Sequence, residues 1–166
     1  MTLPGSDAQP FAFAAAVGED RAVRIVFGPG RLDQVAAEAR TLGTRIMIIA
    51  GRHEAEAAET VSEQLGDDLA WRISEVAQHV PVKIAERALQ QAQGARVGVL
   101  VSIGGGSATG LAKAVARDTG LPILAVIGAG DVARFDAIDE LCAAGGIGRA
   151  RLQFVSARTE IFQNIR

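Results

Sequence analysis

Gly104, Gly105, Gly106 and Ser107 stand where a short apolar run meets a run of helix formers. Residues 97–103 read VGVLVSI, long enough for a fully buried strand, and the Ala/Leu/Lys-rich run from Ala108 favours helix. A strand, a glycine turn and a helix in that order leave backbone N–H groups unpaired at a helix N-terminus, where an anionic group can dock. Glycines let the backbone approach a phosphate because no Cβ intervenes, and Ser107 could cap the helix or donate to an oxygen. The spacing is neither GxGxxG nor a P-loop, since Thr109 precedes Gly110, and Leu111-Ala112 follows in place of Lys-Ser/Thr. Two readings therefore stand at this turn: a pyrophosphate cradle, or a packing turn that binds nothing.

The other reactive side chains are few. The chain has two histidines, His53 and His79, one cysteine, Cys142, and no His-x-x-x-His pair, so a converging ligand set is lacking and no metal is expected. His53 reads as an exposed helix-start residue and His79 as a loop residue ahead of Pro81. Cys142, among Leu141, Ala143 and Ala144, reads as a small buried hydrophobe. Asp131, Asp136, Asp139 and Glu140 read as a solvated helix face. Lys113 lies one turn into the helix after the glycines, within reach of a phosphate or simply at the surface.

These residues need a frame, and the pattern supplies one. A leader over residues 1–10 precedes two β-prone runs, 11–17 and 23–27, split by Gly18-Glu19-Asp20, which predicts an N-terminal β-hairpin. Helices are expected over 31–42, about 54–65, about 82–93 and 108–119. The first shows Leu32, Val35, Ala36, Ala39 and Leu42 on one face, and the second has an acidic first turn that suits the helix dipole. Strands are expected at 46–50, 71–76, 97–103 and 123–127. That alternation predicts an α/β, Rossmann-like parallel sheet with helices on both faces. Ligands of such sheets sit beyond the carboxyl ends of the strands, which places Gly51-Arg52-His53, the turn from Gly104 to Thr109 and the residues after Ile127 on one rim. An acidic residue at the end of the second strand commonly holds an adenosine ribose. Gly51 and Arg52 occupy that place, and Arg52 either faces a 2′-phosphate or sits in solvent.

Composition narrows the classes further. With 166 residues, 49% of them hydrophobic, the chain can bury a sizeable core as one domain. A net charge of −2 gives no electrostatic basis for nucleic-acid or anionic-membrane partners. One cysteine rules out an intramolecular disulfide, and no signal segment or membrane-length apolar run is present, so a cytoplasmic location is expected.

Several stretches together resemble the maleylacetate reductases of the iron-containing alcohol dehydrogenase-like superfamily: FGPGRLDQVAAEARTLG (27–43), HVPVKIAERAL (79–89), SIGGGSATGLAKAVA (102–116) and TGLPILAV (119–126). Thr109 stands where the metal-dependent members usually carry an Asp, which is similar to the maleylacetate reductase pattern. The resemblance implies a dinucleotide-binding domain over 1–127, with Gly104, Gly105, Gly106, Ser107 and Thr109 at the pyrophosphate of NAD or NADP and Gly51 and Arg52 near its adenosine end. It implies NAD(P)H-dependent reduction of maleylacetate to 3-oxoadipate, in the breakdown of aromatic compounds. After Val126 the family continues with a Pro-Thr-Thr turn and then a largely helical substrate domain, whereas this chain reads Ile127-Gly128-Ala129-Gly130-Asp131. Residues 128–166 are expected to form a divergent segment, with a helix over 133–143, a glycine turn at 145–148 and a strand at 152–155. A truncated cofactor half without the catalytic domain is thus expected, partnered by a dinucleotide and by a second copy or a missing-domain chain. The alternative is a non-catalytic nucleotide-binding or interaction module.

Overall fold

The computed structural model describes residues 11–16, 22–27, 31–127 and 152–156, with side chains over 32–126. Among these residues seven strands form one sheet. They are β1 (Phe11–Ala16), β2 (Ala22–Phe27), β3 (Ile46–Ala50), β4 (Leu69–Ile73), β5 (Val99–Ile103), β6 (Ile123–Ile127) and β7 (Leu152–Ser156). Their spatial order is β1-β2-β7-β6-β5-β3-β4. The expected hairpin is there: β1 and β2 pair antiparallel from Phe11 opposite Phe27 to Ala16 opposite Ala22. Every other neighbouring pair is parallel. The strand expected at 152–155 is β7, and it lies inside this sheet between β6 and β2. The helix and glycine turn expected between residues 133 and 148 lie outside the described residues.

Among the described residues four α-helices cover the sheet: α1 (Val35–Leu42), α2 (Ala55–Leu65), α3 (Val82–Gly94) and α4 (Gly106–Thr119). The period-2 geometry of the strands assigns each side chain a face. On β3, Met47 and Ile49 join Leu100 of β5 in a core closed by Ala88 and Ala92 of α3 and Leu111, Ala112 and Val115 of α4. Ile46, Ile48 and Ala50 point the other way. They meet Val99, Val101 and Ile103 of β5, Val35, Ala36 and Ala39 of α1, and Ala58, Val61 and Leu65 of α2. β3 and β5 are buried along their full length, which explains why both read as apolar runs, broken only by the buried Ser102 of β5.

Several boundaries differ from expectation: β5 starts at Val99 rather than residue 97, and three other differences have a local reason. The helix expected from residue 31 opens as a 3-10 turn, Arg31–Gln34, before α1. β4 spans Leu69–Ile73 rather than 71–76, because a 3-10 turn at Gly66–Asp68 delivers the chain to the sheet early and Leu69 pairs with Ile46. α4 starts at Gly106 rather than Ala108, since Gly105 is the extended residue that caps it. At the opposite end of the sheet, Gly98 lies so close to Thr44 that a Cβ would stand 2.4 Å from the Thr44 carbonyl oxygen. The Gly98 N–H donates to the carbonyl of Arg45 at 2.9 Å, joining the segments that lead into β5 and β3.

Candidate functional site

β3 leads to β4 on one side and, by way of α3, to β5 on the other, so the order of the sheet reverses between β3 and β5. At such a reversal the turns leaving the two strands diverge and open a crevice beyond their carboxyl ends. A cleft of about 640 Å³ occupies that place. One wall is the turn after β3, Gly51 to Glu54, and the floor is Gly105 to Ala108 at the start of α4. The far wall is Ser74, Glu75, Val76 and Gln78 from the segment after β4. Its size suits a small-molecule or cofactor site.

The floor carries the chemistry. Gly104 turns the chain out of β5 with φ +124°, a conformation that L side chains rarely adopt, and its N–H is held by the Val126 carbonyl at 2.9 Å. Gly105 is extended and caps α4 without any side-chain cap bond. The first N–H bonded back along the helix is that of Thr109, to the Gly105 carbonyl at 3.2 Å. The N–H groups of Gly106, Ser107 and Ala108 therefore lack intrahelical acceptors, and all three residues face the cleft. A Cβ at Gly106 would meet no atom within 4 Å. Three donors at the positive end of a 14-residue helix thus converge on open space, an arrangement that takes an anion.

The residues singled out in the sequence are distributed unevenly around this site. Gly51, Arg52, Gly105, Gly106 and Ser107 line the cleft, and Gly104 forms the bend beneath it. Thr109 does not line it. Its side chain is buried against β5, with its hydroxyl 3.4 Å from that of Ser102, so it supports the turn from behind. Ser107 lines the cleft rather than capping α4. His53 is exposed on the cleft wall, whereas His79 is exposed away from the lining, at φ +60°. Lys113 is half-buried and outside the lining. Cys142, Asp131, Asp136, Asp139 and Glu140 lie outside the described residues, as do the residues after Ile127 expected on the same rim.

Two parts of the site were not anticipated from the sequence. The wall from Ser74 to Gln78 belongs in part to the stretch expected as strand. Glu54, expected only to complement a helix dipole, reaches between the two turns: a Cβ on Gly104 would stand 3.0 Å from its Cδ, and one on Gly51 3.0 Å from its Oε2. A carboxylate three residues beyond the strand-end glycine was the available signal.

A family model described as iron-containing alcohol dehydrogenase matches residues 22–140, well over half of the chain. The chain belongs to the iron-containing alcohol dehydrogenase family. Within that family it is similar to the maleylacetate reductase of Rhizobium sp. strain MTP-10005, at 38% identity over 119 residues, covering 71% of this chain and 32% of that enzyme. The maleylacetate reductase of Burkholderia cepacia is 37% identical over 109 residues, 65% of this chain and 31% of that enzyme. The crystal structure of the Rhizobium enzyme superposes with a TM-score of 0.61 over 72% of this chain and 33% of that one. The chain thus spans about a third of the length of these relatives. The family's description includes iron. Among the described residues no three His, Cys, Asp or Glu side chains are placed to hold an ion, so the described residues do not fit a metal. Among them, too, no helix is long and apolar enough to cross a membrane.

Proposed function

We propose that the chain is a cofactor-binding half of a maleylacetate reductase-type oxidoreductase, holding NADH or NADPH in the cleft between β3 and β5. The observation that carries this reading is the set of three open N–H groups of Gly106, Ser107 and Ala108, facing a cleft at the point where the strand order reverses. The fit is physical: the cleft is open where a Cβ of Gly106 would project, and the donors there are backbone groups that accept no proton from a phosphate. Gly104, Gly105, Gly106 and Ser107 then hold the pyrophosphate, with Gly51 and Arg52 toward the adenosine end. Thr109 stands behind the glycines and supports the turn, its hydroxyl 3.4 Å from that of Ser102.

When bound, the nicotinamide supplies a hydride, and by likeness to the relatives the acceptor is the carbon–carbon double bond of maleylacetate, in aromatic-compound breakdown in the cytoplasm. Reduction also needs a proton donor and a clamp for the substrate carboxylates. No described cleft residue is assigned either role, so those groups come from outside the described residues, from a second copy or from a partner chain. A non-catalytic nucleotide-binding or interaction module is the second reading, favoured by the chain's span of only about a third of its relatives' length.

Titration of the purified protein with NADH and NADPH, following nicotinamide fluorescence with maleylacetate present, tests both. Binding with turnover supports the reductase. Binding without turnover in any oligomeric state supports the module. If neither nucleotide binds, the cofactor reading fails.

A further inference from the structure

Among the described residues Glu54 is the one acidic side chain of the cleft that touches both glycine turns. Its side chain lies half-buried in the slot that Gly51 and Gly104 leave by lacking a Cβ, with Cδ and Oε2 each 3.0 Å from where those carbons would be. It makes no side-chain hydrogen bond or ion pair among the described residues. Glu75, the other carboxylate of the cleft, is bound to Arg87 instead. Arg52 and His53 line the same wall but are exposed to solvent. Among the described residues the crevice therefore presents one carboxylate without a side-chain partner, beside a floor of N–H donors.

These two features sort the parts of a dinucleotide. Phosphates are drawn to the N-terminus of α4 and repelled from Glu54. Hydroxyl groups are what an ionised, acceptor-only carboxylate binds, and an adenosine ribose carries two of them next to the phosphates. A 2′-phosphate in the same place would put like charges together in a partly desolvated slot, where screening is weak. The exposed Arg52 guanidinium cannot offset this strongly, because solvent-exposed ion pairs contribute little. We propose that Glu54 selects between the two nicotinamide dinucleotides, accepting the ribose hydroxyls of NADH and turning away the 2′-phosphate of NADPH. This rests on the nucleotide reading above.

The test is the affinity of the full chain, and of its Glu54→Gln and Arg52→Gln variants, for NADH and NADPH, by fluorescence titration and calorimetry. The wild type should bind NADH about tenfold or more tighter than NADPH, the scale of one charge-assisted hydrogen bond. Glu54→Gln should weaken NADH, strengthen NADPH and bring the ratio near one, with an unchanged circular dichroism melt. Arg52→Gln should alter the ratio by less than about threefold. A wild type that prefers NADPH overturns the proposal without any variant, and so does a Glu54→Gln ratio equal to that of the wild type while both nucleotides bind. Failure of the wild type to bind either nucleotide overturns the cofactor reading itself and this proposal with it.

Discussion

Two neighbouring glycines in the turn after β5 have opposite reasons to be glycine. Gly104 answers to the fold: at φ +124° any other residue is strained, and its Cβ would press on Glu54. Gly104→Ala should cost about 1–3 kcal/mol of stability and weaken nucleotide binding as Glu54 is displaced, visible as a lowered urea midpoint together with a raised Kd. Gly106 answers to the ligand. Its Cβ would meet nothing within 4 Å, and as a helical position it should tolerate alanine. Gly106→Ala should leave the melting temperature unchanged or raise stability by up to about 1 kcal/mol. The added methyl would enter the cleft, so NADH affinity should fall at least about tenfold. A variant that is stable and binds normally would show that the phosphate lies elsewhere.

At the scale of elements, two arginines close the helices that bracket the site. Arg40 of α1 donates from Nη2 to the Gln64 and Leu65 carbonyls at 3.0 and 3.2 Å, and its Nε meets Asp68 at 2.7 Å. It thereby satisfies the last carbonyls of α2 and places a cation at the negative end of that helix. Arg45 acts just beyond the end of α3, donating from Nε to the Ala95 and Arg96 carbonyls at 3.0 and 3.1 Å. Arg40→Ala should cost about 1 kcal/mol, measured by chemical denaturation, and leave nucleotide affinity intact because Gln64 and Leu65 lie at the far end of α2 from Gly51. Elements were readable in the sequence wherever burial dictated composition. β3 and β5 are walled by helices on both faces, so every position but Ser102 is apolar and the run stands out. Among the described residues β4 has one neighbouring strand, and its residues are mostly half-buried, with Trp71 exposed. That mixed pattern blurred its limits and hid the Ser74–Gln78 wall. Glu54 was hidden for a different cause: its identity suits a helix start, and only the folded positions of Gly51 and Gly104, far apart in sequence, show what it touches.

For the whole molecule, the site is a consequence of register. The turns after β3 and β5 meet only because the two strands pair in step, from Ile46 opposite Val99 to Ala50 opposite Ile103. That register is set at the far end of the strands, where Gly98 bonds the Arg45 carbonyl and passes the Thr44 carbonyl without a side chain. A Cβ there would stand 2.4 Å from a backbone oxygen, and neither partner is the free end of a flexible chain. Gly98→Ala must therefore move one strand relative to the other. Both cores share β3 and β5, so the shift is felt on both faces of the sheet at once. The expected cost is about 1–3 kcal/mol, read in a denaturant titration, with nucleotide affinity lost in parallel although Gly98 is a full strand length from the cleft. Stability and binding should thus fall together in Gly98→Ala and part company in Gly106→Ala. A Gly98→Ala protein that melts lower yet binds NADH as the wild type does would mean that the two turns hold their geometry independently of the strands beneath them.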